Sequence, residues 1–216
     1  MTDEAQTLEV SSAGKPGRDD RRDAIVAIAK QVFAANGYAG TSMSNIAAQV
    51  GGSKATLYSY FKSKEELFTA VIEKKCETIQ NLLNEAQIES GGDLRGALTH
   101  FGERLLELIL SDESVATFRL ATAEVERFPE IGHAIYNSGV LQNQRRMAEF
   151  LERAKEAGHL RKDTDAAVAA EQFSDLCLSG IHRRRLWNVS PAPSREEICA
   201  NVERAVVTFM RAYAAA

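Results

Sequence analysis

The chain has 216 residues, 44% of them hydrophobic, which is enough for one large or two small domains with a buried core. Its net charge of −4 argues against a uniformly basic nucleic-acid-binding protein. No apolar run approaches the roughly 18 residues of a membrane span, and the acidic start Met1-Thr2-Asp3-Glu4 is unlike a secretion signal, so the sequence predicts a cytoplasmic protein with no membrane partner.

The charge is unevenly distributed along the chain. Residues 15–64 carry eight Lys or Arg and three Asp, a net charge of +5, whereas residues 65–216 carry −6. A basic end on an acidic body is typical of a protein that touches DNA at one end only. A chance clustering of surface lysines is the alternative interpretation.

The N-terminal segment is polar and glycine-rich, which predicts a flexible arm over residues 1–18. Its basic residues either follow DNA or are simply solvated. A first helix is predicted from about Asp19 to Asn36, where Gly37 is a typical C-terminal residue. The apolar side chains of this helix recur on one stripe, namely Ile25, Ile28, Ala29, Val32 and Phe33.

Two short helices joined by a glycine turn are predicted between Thr41 and Leu67. The first is capped at Thr41 or Ser42, and Gly51-Gly52 ends it, since two glycines lower helix propensity and permit a tight turn. Ser53 can then cap the second short helix by accepting a backbone N–H bond. This arrangement is the plan of a helix-turn-helix, whose second helix enters the major groove of DNA.

The second short helix separates its residues into two faces. At about 100° per residue, one face carries Lys54, Ala55, Tyr58 and Ser59, and the opposite, apolar face carries Leu57, Tyr60 and Phe61. The first face offers groups that can reach phosphates or base edges. Ser63 and Glu66 form a capping box for the next helix, which places Lys64 at a positive helix N-terminus that favours a DNA phosphate.

Residues from about Arg21 to Phe68 resemble the N-terminal DNA-binding domain of TetR-type transcriptional regulators. The most specific match is the run Ser53-Lys54-Ala55-Thr56-Leu57-Tyr58-Ser59-Tyr60-Phe61-Lys62-Ser63-Lys64-Glu65, while Gly52 departs from the small apolar residue common there. The resemblance implies a DNA-binding domain over 19–66 and a double-stranded DNA operator as partner. The residues predicted to contact DNA are Ser42, Ser44, Ser53, Lys54, Ala55, Thr56, Tyr58, Ser59 and Lys64.

The rest of the chain reads as helices. A long helix from about Lys64 to Ile88 stops at Gly91-Gly92, and further helices are predicted over about 93–111, 113–128, 131–157, 163–187 and 194–216, the third with a candidate bend at Asn137-Ser138-Gly139. The sequence thus predicts an all-α protein of nine or ten helices. A three-helix head would precede a body over 67–216 that binds an effector and dimerises.

The last two helices indicate a surface for a second copy of the chain. The helix after Asp163 is apolar over most of its circumference and needs cover on two sides, which the core and a partner could supply. A fully internal helix is the alternative. TetR-type proteins usually pair through their final two long helices, so the resemblance favours a homodimer. The predicted interface residues are Ala170, Ser174, Ile181, Val202, Val206 and Phe209.

Residues 118–130 also resemble the C-terminal regions of the AcrR/AefR-like branch, whose members are generally thought to bind apolar or aromatic small molecules. This resemblance implies an effector pocket between the helices at about 94–128 and 165–187. The residues predicted to line it are Phe101, Leu105, Phe118, Ala121, Glu124, Phe128, Tyr136, Phe173 and Cys177.

No motif for catalysis, a cofactor or a metal site is apparent, so the sequence predicts a protein that is not an enzyme. The cysteines Cys76, Cys177 and Cys199 are widely spaced, which favours packing roles over zinc binding, with redox sensing as the alternative. The basic cluster around Arg185 favours a structural or interface role. The combined prediction is a ligand-released homodimeric repressor of a near-palindromic operator. An activator, a ligand-independent regulator, and a helical small-molecule-binding protein or enzyme remain as alternatives.

Overall fold

The computed structural model describes residues 17–89 and 92–215, and the predicted arm lies almost entirely outside them. The described residues form eleven α-helices and one π-helical segment, which confirms the all-α fold. Two helices have only six residues, so the number exceeds the nine or ten predicted. The helices are α1 (Arg18–Gly40), α2 (Met43–Val50), α3 (Lys54–Tyr60), α4 (Lys64–Glu89), α5 (Leu94–Ile109), α6 (Asp112–Glu124), α7 (Pro129–Ala134), the π segment (Ile135–Leu141), α8 (Gln142–Glu156), α9 (Ala166–Leu178), α10 (Ile181–Leu186) and α11 (Arg195–Tyr213).

Two predicted helices differ in detail from the observed ones. The run from Pro129 to Glu156 is continuous, and the candidate bend at Asn137–Gly139 falls inside the π segment. The helix predicted to reach Trp187 is instead split into α9 and α10. The cause is Gly180, whose φ of 75° lies in the left-handed region that ends a helix.

The helix-turn-helix forms through local capping, as predicted. The Ser42 hydroxyl accepts the Asn45 N–H at 3.1 Å and begins α2, and the Ser53 hydroxyl accepts the Thr56 N–H at 3.0 Å and begins α3. Between them Gly51 adopts a left-handed conformation with φ of 69°. These bonds satisfy orphan N–H groups at the helix starts, and the turn sets α3 against α2.

Two hydrophobic cores divide the molecule, and α4 takes part in both of them. The first core contains α1, α2, α3 and the first part of α4 up to Ile72, together with Ala121, Ile131 and Ala134 from α6 and α7. The second begins at Leu82 of α4 and contains α5, α8, α9 and α11. The predicted domain boundary between residues 66 and 67 falls in the first turn of α4, which is one uninterrupted helix.

Close approach of three helices fills the centre of the body. A Cβ atom on Gly102 of α5 would lie 2.8 Å from Val202 Cγ1 of α11 and 3.4 Å from Cys177 Sγ of α9. Real Cβ atoms essentially never come as close as the first distance, so α5 can pack here only because Gly102 has no side chain. The centre of the body is therefore tightly packed.

The two adjacent turn glycines give a matched pair of stability variants. A Cβ atom on Gly52 would make only ordinary contacts, the nearest at 3.6 Å to Arg21 Nη2, and its φ is not positive. Gly52→Ala should therefore stabilise the protein by about 0.4–1 kcal/mol, because it restricts the unfolded chain. Gly51→Ala should destabilise it by roughly 1–2 kcal/mol, the cost of a left-handed alanine. Urea unfolding monitored by circular dichroism measures both changes, and a destabilised Gly52→Ala would contradict the turn geometry.

Candidate nucleic-acid interface and effector site

The two faces of α3 are separated as the sequence predicts. Leu57 and the following Phe61 are buried in the core of the head. Tyr58 is 42% exposed, and Lys54, Ala55, Thr56 and Ser59 are also exposed. Because the buried side anchors a helix of only seven residues, the polar side is held in a fixed orientation on the surface. A cation, a phenol and hydroxyl groups are thus presented together.

The hydroxyl groups predicted to contact DNA have internal partners as well. Ser53 Oγ lies 2.8 Å from Thr56 Oγ1, and Ser59 Oγ donates to the Thr56 carbonyl at 2.7 Å. Ser44 is exposed on α2 beside the Ser42 cap. Ser42 Oγ only accepts in its cap and keeps its proton for a phosphate, whereas Ser59 Oγ has used its proton and keeps acceptor capacity for a donor on a base edge. These contacts can therefore form without breaking the caps.

Lys64 has intramolecular contacts that the sequence did not predict. Its ammonium donates to the backbone carbonyls of Tyr38 at 2.9 Å and Thr41 at 3.2 Å, and it lies 4.1 Å from the centroid of the Tyr38 ring. Two of its three N–H donors are thereby used to join the end of α1 to the start of α4. A phosphate contact by the third donor stays a prediction, but the first role of Lys64 is to hold the head together.

Tyr38 is the centre of the junction between head and body. Its ring is buried against Phe33, Phe68 and Phe128, with centroid distances of 5.1–5.8 Å, and its hydroxyl lies 3.3 Å from Glu130 Oε1, to which it donates. Burial, followed by the negative charges of Glu65 and Glu130, raises the pKa of the Tyr38 phenol far above its ordinary value. The phenol is therefore a firm hydrogen-bond donor from the end of α1 to α7.

The residues predicted to line an effector pocket are spread between the core of the body and its surface, and their contact with an effector stays a prediction. Phe101, Phe173 and Cys177 are buried in the close-packed centre of the body, and Leu105 packs against the same core. Phe118 and Tyr136 are 38% and 56% exposed, Phe128 packs on Tyr38, and Glu124 is half-buried on α6. Their apolar character reflects core packing and surface exposure. Only Ala121 lines the cleft described next.

A cleft of about 320 Å³ lies between α1, α4 and α6. We call it the α1–α6 cleft, and it joins the head to the body because α1 belongs to the head and α6 to the body. Its walls are the following side chains: Asp23, Val26, Ala27, Lys30, Phe33, Ala34 and Tyr38 of α1; Phe68, Val71, Ile72 and Lys74 of α4; Leu108 and Ser111 near the α5–α6 corner; Glu113, Ser114, Thr117, Leu120 and Ala121 of α6; and Ile131 of α7.

The residues predicted to face a partner chain lie in the single-chain core or beside it, and their contact with a partner stays a prediction. Ala170, Ile181, Val202, Val206 and Phe209 are buried, and Ser174 is half-buried and donates to the Ala170 carbonyl at 3.0 Å. The apolar stripes of α9 and α11 pack on each other and on α5 and α8. Periodicity identifies an apolar stripe, but it cannot tell an internal neighbour from a second chain.

Within the basic cluster of α10, Arg185 has a structural role, whereas Arg183 and Arg184 are exposed. Arg185 is 7% exposed, donates to the Leu110 carbonyl at 3.3 Å and forms an ion pair with Asp112. Arg119 of α6 donates to the carbonyls of Arg185 and Leu186, which satisfies acceptors at the end of α10. These bonds fix the α5–α6 corner to α10, and nothing local in the sequence identifies their partners.

Comparison with known families identifies both halves of the chain. Residues 25–71 match the family described as bacterial regulatory proteins, tetR family. Residues 96–215 match the C-terminal domain of AefR-like transcriptional repressors. The chain belongs to the TetR family of transcriptional regulators. Its α2–α3 unit is the DNA-binding helix-turn-helix of that family, and regulators of this family bind operators as homodimers and respond to small-molecule effectors.

Individual TetR-family relatives show different degrees of likeness. The Flavonoid-responsive Regulator FrrA is 34% identical, with 91% of this chain and 98% of that chain covered and a TM-score of 0.75. A TetR-family structure from Mesorhizobium loti has a TM-score of 0.80 over 92% of this chain and 100% of that chain, but its 24% identity shows the fold alone. The activator FasR of Mycolicibacterium smegmatis is 32% identical over 96 residues, 40% of this chain and only 44% of its own length.

The two cysteines whose side chains the structure describes, Cys177 and Cys199, are not activated. Burial raises the pKa of the Cys177 thiol to about 12. A hydrogen bond with Glu103 is the main cause that raises the pKa of Cys199. A raised pKa leaves little of the reactive thiolate, which favours the packing interpretation for these two residues. The side chain of Cys76 lies outside the described residues.

Over 17–89 and 92–215, no group of three or more His, Cys, Asp or Glu side chains is placed to hold a metal ion. Across the same residues, none of the helices has the length and apolar character needed to cross a membrane.

Removal of the Tyr38 hydroxyl should alter the alkaline stability of the protein. The raised pKa of Tyr38 means that its neutral form is favoured by folding, so its stabilisation is complete below the unfolded value near 10 and is lost as the pH rises above it. Wild-type unfolding free energy should therefore fall more steeply between about pH 9 and 11 than that of Tyr38→Phe. At neutral pH the variant should lose about 1 kcal/mol with the Glu130 bond.

Urea unfolding across pH measures this difference. Tyr58→Phe, which removes an exposed hydroxyl, is the matched control and should keep the wild-type profile. Identical profiles for the wild type and Tyr38→Phe would contradict the junction described for Tyr38.

Proposed function

We propose that the protein is a homodimeric repressor that binds a near-palindromic operator and is released from it by a small molecule. The observation that carries the proposal is the exposed polar face of α3, held on a buried Leu57 and Phe61 and preceded by the Gly51 turn. Lys54, Ala55, Tyr58 and Ser59 would read or touch the major groove, with Thr56 at the edge of this face. Ser42, Ser44 and Ser53 would position the head on the phosphates.

Repression is favoured over activation by the match of more than half the chain to the C-terminal domain of AefR-like repressors. Activation is the second candidate, because the partly matching relative FasR is named as an activator. The matched families are regulatory, and we infer that the chain is not an enzyme. DNA as its target places the protein in the cytoplasm.

A second copy of the chain is proposed to pack on the outer faces of α9 and α11. These faces form a groove lined by Gln172, Asp175, Leu176, Ser179, Thr208, Phe209, Ala212 and Tyr213, of which Phe209 is also a predicted interface residue. Small side chains at Ser179, Thr208 and Ala212 allow a partner helix to approach closely. Two-fold pairing sets two α3 helices at a fixed spacing and doubles the number of bases read. The buried stripes of the same helices supply the rigid support.

The effector is proposed to be a small apolar or aromatic molecule. FrrA, which matches nearly the whole chain, is named as responsive to flavonoids, which are aromatic. An effector would act by favouring a state in which the heads are wrongly separated for the operator. Only a ligand that prefers this state can shift the population, by as much as its preference for it.

Loss of the Lys54 ammonium should weaken binding to all DNA sequences. Lys54 is exposed at the start of α3, so Lys54→Ala should lower affinity and reduce the salt dependence by about one phosphate contact for each chain. The measurement is fluorescence anisotropy over a series of salt concentrations, with DNA fragments selected from the region upstream of the gene. Lys162→Ala, an exposed lysine of the body, is the control and should keep the wild-type slope.

Two results would count against the proposal. If the DNA affinity of Lys54→Ala depends on salt concentration as steeply as that of the wild type, Lys54 is not part of the DNA interface. Failure of the wild type to bind any genomic fragment at low salt would remove the proposed DNA-binding function as a whole.

A charge placed in the α9–α11 groove should separate the dimer. Thr208 is exposed and donates to the Arg204 carbonyl, so Thr208→Arg should leave α11 folded and raise the dimer dissociation constant by at least about tenfold, because two like charges meet at a two-fold interface. Thr122→Arg is the matched control, since Thr122 is an exposed helix residue of α6 with the same kind of bond to Phe118. Sedimentation velocity measures both. A Thr208→Arg variant that dimerises like the control would exclude this face.

A further inference from the structure

We propose that the α1–α6 cleft is a binding site for an uncharged aromatic molecule that carries a hydroxyl group, such as a phenol. The regulatory consequence of binding rests on the proposed function, whereas binding itself does not. The cleft lies outside the close-packed centre of the body. In that centre α5, α9 and α11 pack so closely around Gly102 that there is no room even for a Cβ atom. Its location between head and body makes it suitable for an effector.

The walls of the cleft favour an aromatic occupant. Phe33, Tyr38 and Phe68 belong to one aromatic cluster and line the cleft, with Val71 and Leu120 also in its walls. Ring edges and faces in such a cluster pack well against another aromatic ring. A volume of about 320 Å³ lies at the lower end of the range for small-molecule sites, which is adequate for a ligand of two or three fused or linked rings.

The charged groups of the cleft favour an uncharged occupant. Lys30 forms an ion pair with Glu113 at 2.6 Å, and Lys74 forms one with Asp23 at 3.0 Å. Both cations of the lining are thus matched by carboxylates of the lining. A charged ligand would meet as much repulsion as attraction, and it would also lose hydration on burial.

The hydroxyl groups of α6 favour a ligand that donates a hydrogen bond. Thr117 Oγ1 donates to the Glu113 carbonyl at 2.8 Å, and Ser114 Oγ donates to the Leu108 carbonyl at 2.7 Å. The protons of both hydroxyls are used, and Ser114 Oγ also accepts from Ser111 Oγ at 3.0 Å, so Thr117 Oγ1 is the oxygen of this pair that retains the greater acceptor capacity. The O–H group of a phenol or alcohol is the complementary donor.

Binding in the cleft would act on the head through α1. The Lys30–Glu113 pair joins α1 to α6, and the Lys74–Asp23 pair joins α1 to α4. Tyr38 forms part of the wall and is fixed through its carbonyl to Lys64, close to the start of α2. A ligand between α1 and α6 therefore acts on the connection of α1 to α6 and on the connection of α1 to α4, and these two connections orient the helix-turn-helix. Ligand binding favours a state in which α1 and α6 are further apart.

The test uses the full-length protein and the fluorescent phenol 2-naphthol, with the anion 2-naphthoate as the charged counterpart. Ala34→Phe fills the cleft from an exposed position of α1, and Ala35→Phe, exposed on the same helix but outside the cleft, is the matched control. We expect 2-naphthol to bind the wild type and Ala35→Phe at one site per chain, and Ala34→Phe at least tenfold more weakly. Equal binding by both folded variants, or equal binding of 2-naphthoate, would overturn the proposal.

A second variant keeps the test valid if Ala34→Phe does not fold. Thr117→Val removes a hydroxyl with little change of shape, and loss of one hydrogen bond should weaken 2-naphthol binding by about fivefold. If Thr117→Val binds 2-naphthol with unchanged affinity, the inference that the ligand donates a hydrogen bond to Thr117 is overturned.

Anisotropy of labelled operator DNA separates the inference from the proposed function. We expect 2-naphthol to lower the DNA affinity of the wild type and of Ala35→Phe more than that of Ala34→Phe. If DNA is bound but 2-naphthol in the cleft leaves its affinity unchanged, the regulatory role of the cleft is overturned. If no DNA is bound while the two alanine variants still differ in 2-naphthol binding, the proposed function fails and the binding site stands.

Discussion

The contact between the Lys64 ammonium and the end of α1 holds the start of α4 against α1 and so holds the head together. The ammonium binds the Tyr38 and Thr41 carbonyls and lies over the Tyr38 ring, so it fixes the segment that leads directly into the Ser42 cap of α2. Carbonyls at the end of a helix carry partial negative charge, and a cation there is favourable. The position of α2, and through the Gly51 turn that of α3, follows from this contact.

The hydrophobic core around Tyr38 makes the head part of the body. Ala121, Ile131 and Ala134 come from α6 and α7 and complete the core of α1 and α4. A head that buries apolar surface of the body cannot swing freely, because separation would expose that surface to water. Movement of α6 or α7 therefore moves α1, which gives the molecule a direct mechanical connection between its two functions.

The sequence predicts what depends on neighbours along the chain and fails where distant partners decide. The caps at Ser42 and Ser53, the Gly51 turn and the buried side of α3 are local, and the structure shows each of them. Phe173 and Phe209 were expected at surfaces for a ligand and a partner, but they pack on each other at 5.3 Å within one core. The predicted role of Lys64 followed from helix position alone and omitted the carbonyls of α1, 23 and 26 residues earlier.

The position of the α1–α6 cleft is favourable for a switch on energetic grounds. A change from 1:99 to 99:1 between two states needs a preference of about 5.5 kcal/mol. An aromatic ligand that buries about 200 Å² gains roughly 5 kcal/mol from burial. Even if all of this binding energy were specific to one state, it would fall slightly short of that complete shift, so none of it can be spent equally on both states. A pocket enclosed in a rigid body would bind equally in both states and shift nothing, whereas a cleft between α1 and α6 changes with the position of the head itself.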